Sequence, residues 1–183
     1  TNGMSEYARD GENANSALLV GVDGRDFGSA HPLAGMEFQR NLEEKAFCLG
    51  GGDYRAPAQT VEDFLRGKPT NCLGGVRPTY APGVSLCNLR ELFPKAIGES
   101  LAEGILQMER YLEGFSAPDS VLTGVESRSS SPVRVIRGEN LQSVSLQGFY
   151  PCGEGAGYAG GIVSAAADGI RCAEAVIKEI NER

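Results

Sequence analysis

Histidine is almost missing from this sequence: its 183 residues contain one, His31. A Ser–His–Asp triad would need His31 as base, yet it stands directly before Pro32 at the head of a helical pattern, where a capping role fits better. Paired cysteines are missing too. Cys48, Cys72, Cys87, Cys152 and Cys172 form an odd set with no C-x-x-C spacing, which argues against structural zinc and gives no metal site to expect. They read as free thiols, with Cys152 expected to be buried and inert. There is no G-K-[ST], hence no Walker loop. The longest apolar candidate, Gly160 to Ala167, is far too short for a bilayer. Net positive charge is missing as well: the balance is −7, so neither nucleic acid nor an anionic membrane surface is an expected partner. Thr1 to Asp10 lack the basic-then-apolar order of a signal peptide, and a cytoplasmic location is the expectation.

What is present belongs to a globular chain, with 41% hydrophobic and 22% charged residues and enough length for one medium domain or two small ones. Thr1 to Asn15 are polar and irregular. Ser16 to Val22 are apolar between turn signals and predict a strand. Phe38, Leu42, Ala46 and Leu49 recur at helical steps, so Leu33 to Leu49 predict an amphipathic helix opened by Pro32 and ended by Gly50-Gly51-Gly52. Pro57 to Arg66 predict a shorter helix, and Gly67 to Ser85, with three prolines, a long ordered loop. Asn88 is placed to cap a turn. Pro94 opens a helix whose stripe is Ile97, Leu101, Ile105, Met108 and Leu112. The two helical stripes are expected to face one core.

From Ser120 the character changes. Val121 to Val125 and Val133 to Ile136 predict strands, and Phe149 to Cys152 a further strand running into GEGAGYAGG and a last helix. That helix carries Ile162, Ala166, Gly169, Ile170, Ala173, Val176, Ile177 and Ile180 on one face, which should pack on a sheet.

Gly155-Ala156-Gly157-Tyr158-Ala159-Gly160 fits G-x-G-x-x-G, in the strand-loop-helix context that a dinucleotide loop requires. Glycines admit close approach of an anion or ring edge, and the helix N-terminus offers free N–H groups and a partial charge of about +0.5. A Rossmann motif also needs a second parallel strand after the helix, with an acidic residue for the ribose. Here the helix runs to Arg183, so the expectation is a closing piece of a nucleotide fold whose other strands lie elsewhere. The alternative is a tight turn needed only for packing.

The wording of Phe149 to Ile170, FYPCGEGAGYAGGIVSAAADGI, closely resembles the carboxy-terminal flavin motif of the FAD-dependent, or NAD-utilising, dehydrogenase family. Three other segments resemble the same family: GMSEYARDGENANSALLV from Gly3 to Val20, HPLAGMEFQRNLEEKAFCLGGGDYRAPAQTVEDFL from His31 to Leu65, and ESRSSSPVRV from Glu126 to Val135. The resemblance implies an α+β or α/β fold in two parts. Residues 1–119 would be a mainly helical substrate or cap region with some strand. Residues 120–183 would be the closing strands and last helix of a two-part FAD-binding domain. The chain would then be the carboxy-terminal fragment of a FAD-dependent oxidoreductase, inactive alone. Its partners would be the missing amino-terminal FAD-binding half and a small-molecule substrate, with NAD(P)H a candidate electron donor.

The resemblance also implies roles. Gly153, Glu154 and Gly155 match the second flavin contact, Glu154 lying on the ribitol side. Gly157 and Gly160 belong to the glycine set of close backbone approach. Gly160, Gly161 and Ile162 begin the helix aimed at the pyrimidine edge of the isoalloxazine, where the helix dipole favours negative charge. Glu126 and Arg128, with Ser129 to Ser131, are the catalytic candidates, as a polar lip beside the ring or as a solvated loop. The rival function is a non-catalytic interaction or substrate-binding module.

Overall fold

The computed structural model describes residues 7–182. Residues 1–6, which include the start of the Gly3–Val20 segment, and Arg183 lie outside the described residues. The chain divides into two compact units. Unit 1 is the described part of Thr1–Gly21 together with Arg40–Ser127; unit 2 is Val22–Gln39 with Arg128–Arg183. The division thus follows Ser127 rather than Asp119, and it also gives Val22–Gln39 to the carboxy-terminal unit. The architecture is α+β: four α-helices and one three-stranded mixed sheet among the described residues. No helix there is long and apolar enough to cross a membrane.

The first helix, α1 (Ala34–Leu49), starts one residue later than predicted and stops at the three glycines. Gly51 and Gly52 take φ of 101° and 76°, which glycine adopts without a side-chain penalty. Just before α1, the His31 ring nitrogen Nδ1 accepts from the Leu33 N–H at 3.2 Å, in the turn that leads into the helix.

In unit 1, β1 (Ala56–Thr60) runs straight into α2 (Val61–Arg66). The single helix predicted over Pro57 to Arg66 is therefore half strand. Pro57 has no N–H to give the ladder, but its carbonyl accepts from the Gly124 N–H, 3.0 Å away, one residue past β3 (Val121–Thr123). β1 is the centre of the sheet, parallel to β2 (Val84–Leu86) and antiparallel to β3. Its Gln59 is fully buried, donating to Lys68 O at 2.5 Å and accepting from Leu89 N at 2.8 Å. Such a satisfied amide costs little in a core. Thr60 caps α2 and Gly67 closes it at φ 66°. Asn88 caps the 3-10 turn Leu89–Glu91, its Oδ1 accepting from Arg90 N.

Beyond that turn, α3 (Lys95–Met108) follows Pro94 as predicted. Ala46 of α1, Phe64 of α2 and Ala102 and Ile105 of α3 meet Leu89 and Leu92 in one apolar core, with Leu49 and Leu101 packed against it. The two stripes share this core only in part. Met108 and Leu112 stay exposed, and Phe38 belongs to unit 2, its ring 5.7 Å from that of Phe27.

Three predicted strands do not form. Ser16–Val22 is not helical or strand, since a strand requires a hydrogen-bonded neighbour; only Leu18 packs on the unit 1 core. In unit 2, Val133–Ile136 and Phe149–Cys152 are irregular, with a single bridge between Arg137 and Ser143. The last helix, α4 (Ile162–Asn181), forms as predicted but faces the other way. Its buried side is Asp168 and Cys172, while Ile162, Ile170, Ile177 and Ile180 are 93%, 61%, 58% and 64% exposed. Polar partners explain the inversion. Asp168 binds Arg137, and further along, Glu179 accepts from Gln142 Nε2 at 2.8 Å and from the Tyr150 hydroxyl.

Candidate functional site

The glycine segment is a series of turns from Gly153 to Tyr158 leading to α4. No strand precedes it, so it meets half of the dinucleotide-loop context. Its turns are closed internally: Gly157 N donates to Glu154 O at 2.9 Å and Tyr158 N to Gly153 O at 3.1 Å. Two outside contacts come from the stretch before it. Val135 N donates to Ala156 O, and the Ser131 hydroxyl sits 3.2 Å from Gly155 O.

The glycines divide by what demands them. Gly157 has φ 81°, and a β-carbon there would lie 2.6 Å from Val133 O and 3.0 Å from Arg134 Cα; the fold itself requires it. Gly153 has φ 68°, which favours glycine, and a β-carbon there would make only ordinary contact, with Ala165 Cβ at 3.7 Å. Gly155 and Gly160 have negative φ or extended backbone and would meet nothing within 4 Å. Gly161 would meet only Ser164 Oγ, at 3.3 Å. Among the described residues nothing demands glycine at 155 or 160, and at 161 only the Ser164 hydroxyl would have to give way.

At the head of α4, Gly161 N donates to Ser164 Oγ at 3.1 Å. The amides of Ile162 and Val163 have no intrahelical acceptor, as in any first turn, and both side chains are bare, 93% and 81% exposed. Glu154 is exposed beside this loop.

Beneath the loop lies a pair that the sequence reading missed. Arg137 and Asp168 are joined twice, Nη1 to Oδ2 at 3.0 Å and Nη2 to Oδ1 at 2.7 Å, with both side chains 10% exposed. Arg137 also donates to Pro151 O at 2.7 Å, and its guanidinium lies 3.7 Å over the Tyr158 ring. Asp168 Oδ2 accepts from Gly153 N at 2.8 Å. The Arg137 hydrogen bonds, helped by that amide, pull the Asp168 carboxyl down to about 2. Burial pushes the neighbouring Cys172 thiol up, so it is a poor nucleophile. Cys152, expected to be buried, is exposed; all five cysteines are free. The missed pair had one signal in the sequence, an aspartate amid the apolar positions of the last helix.

The catalytic candidates fall differently. Glu126 and Arg128 are both exposed, and the division between units separates them. Of the serines, Ser131 reaches the glycine loop as a tether, whereas Ser129 and Ser130 are exposed. Among the described residues no three potential metal ligands cluster.

Comparison with known proteins bears on the whole chain. A protein of Clostridium beijerinckii named "Uncharacterized protein" is 49% identical over 181 residues, an alignment that covers 99% of this chain and 34% of that protein. The chain therefore spans about a third of that relative's length. The family model for the FAD-dependent protein, C-terminal domain-like group matches residues 1–129. That match takes in the unit 1 core but ends before the glycine loop. With most of its length matched, the chain belongs to this family, as a carboxy-terminal portion of a FAD-dependent protein.

Proposed function

We propose that this chain is part of a FAD-dependent oxidoreductase, and that its glycine loop and the head of α4 contact the flavin. The observation that carries the reading is the pattern of glycines that the chain itself does not need. A β-carbon at 155 or 160 would project into open space, and the first two residues of α4, Ile162 and Val163, are exposed. Keeping those places empty makes sense where something else lies against the backbone. The residues present fit such a group: Gly160, Gly161, Ile162 and Val163 would hold it through backbone and apolar contact, with Glu154 and Gly155 at the margin. The partial positive charge of the α4 N-terminus favours negative charge placed there. When bound, FAD supplies hydride or electron transfer. Glu126 and Arg128 remain candidates for handling a polar substrate.

The exposed isoleucine stripe of α4 fits the same reading. An apolar face this long is normally covered, and a protein about three times the length of this chain has the material to cover it. The amino-terminal FAD-binding half is the proposed occupant.

Gly160→Val in the full-length protein tests the flavin contact. A β-carbon there meets nothing within 4 Å among the described residues, so folding is expected to change by no more than about 0.5 kcal/mol. Flavin binding is expected to weaken by about tenfold or more, through loss of a hydrogen bond to a charged group. Flavin fluorescence quenching and a urea melt measure the two. Unchanged flavin affinity would make the loop a packing turn and favour the interaction-module reading.

A further inference from the structure

We propose that Arg137 and Asp168 are positioning residues that fix the glycine loop on α4 for flavin binding, an inference that rests on the reading just given. The argument begins with where the bonds go. Arg137 holds Pro151 O, before the loop, and covers the ring of Tyr158, its last residue. Tyr158 returns the contact: its hydroxyl accepts from Arg137 N and donates to Val135 O, both at 3.1 Å. Asp168 holds Gly153 N, inside the loop. One ion pair therefore grips both ends of the loop, and Asp168 ties that grip to the helix whose first turn is the proposed contact.

The pair is not itself an anion receptor. Arg137 is 10% exposed, and Nη1 and Nη2 are committed to Asp168, Pro151 O and Cys172 Sγ. With Asp168 charged, the pair has no net charge to offer a phosphate. Nor is it an economical way to gain stability, because desolvating two ions offsets most of their attraction. An apolar pair of similar volume would fill the space as well. What the apolar pair cannot do is hold Pro151 O and Gly153 N at set positions, and a loop must be held closely to present its backbone to a ligand.

The test separates filling from positioning. In the full-length protein, Arg137→Met with Asp168→Leu replaces the pair by apolar side chains. The expected result is a urea midpoint near that of the parent protein and flavin binding weakened about tenfold, the cost of one displaced hydrogen bond to a charged group. Parent-like flavin affinity in the folded double variant overturns the proposal. If the double variant does not fold, Asp168→Asn decides: it keeps the shape and loses the charge, the same direction of loss is expected, and parent-like affinity overturns it. Gly160→Val, measured alongside, distinguishes the two failures. Loss of affinity in Gly160→Val alone sinks the positioning role, whereas parent-like affinity in both sinks the flavin site beneath it.

Discussion

Unit 1 buries Phe64, Leu92 and Ile105 to 1% exposure or less, around a satisfied Gln59. In unit 2, α4 turns Asp168 and Cys172 inward and leaves four isoleucines outside. The first unit follows the ordinary order of apolar inside and polar outside. The second holds its longest helix by a buried ion pair and hydrogen bonds, and keeps its apolar face in reserve. The difference teaches where each unit's stability resides. Unit 1 closes its own core, whereas unit 2 completes only a polar scaffold under a glycine loop.

The sharpest break of this comparison is in the core of unit 1. Phe64→Ala is expected to cost about 4 kcal/mol, transfer loss plus cavity, seen as a drop in the urea midpoint of the chain. A loss under 1 kcal/mol would mean that the α1–α2–α3 core does not govern unit 1.

Acid acts on unit 2 instead. Asp168 has its folded value pulled down to about 2, below the ordinary unfolded value near 3.9. Its contribution is therefore fully present above that unfolded value and is lost as pH falls through the folded one. About 2 kcal/mol should disappear between pH 4 and pH 2, read as hydrogen-exchange protection in α4 against pH. The Met/Leu double variant should lack this step. An α4 that keeps its protection to pH 2 would deny the ion pair its role.

The smallest effect belongs to the exposed stripe. Ile170→Gln with Ile177→Gln should change the stability of this chain by no more than about 0.5 kcal/mol, because both side chains already face solvent. In the full-length protein the same change should lower the unfolding midpoint. Equal melts in the two settings would show that nothing covers α4.

Local signals carried much of the fold. Helical spacing with Pro94, Asn88 and the Gly50-Gly51-Gly52 stop placed α1, the 3-10 turn and α3 within a few residues, because caps and glycine stops act through bonds to near neighbours. The wording of the chain led to the FAD-dependent family. Strands were less legible. β1 reads Ala-Pro-Ala-Gln-Thr, a poor strand by composition, and exists because β2 pairs with it from 28 residues away and β3 from 61 to 65. Conversely, Ser16–Val22 and Val133–Ile136 have strand composition and no ladder.

For the candidate site, the sequence by itself determined that a glycine-rich segment precedes a long amphipathic helix, since glycine content and period are properties of the chain. Only the tertiary structure decided which side of that helix faces inward, that Gly157 serves packing while Gly160 does not, and that Arg137 meets Asp168. Those depend on contacts across 23 to 37 residues. A helical period records that two faces differ. Which face is buried is settled by the partner each face finds, and a buried carboxylate is tolerated only where a guanidinium and an amide arrive to bind it.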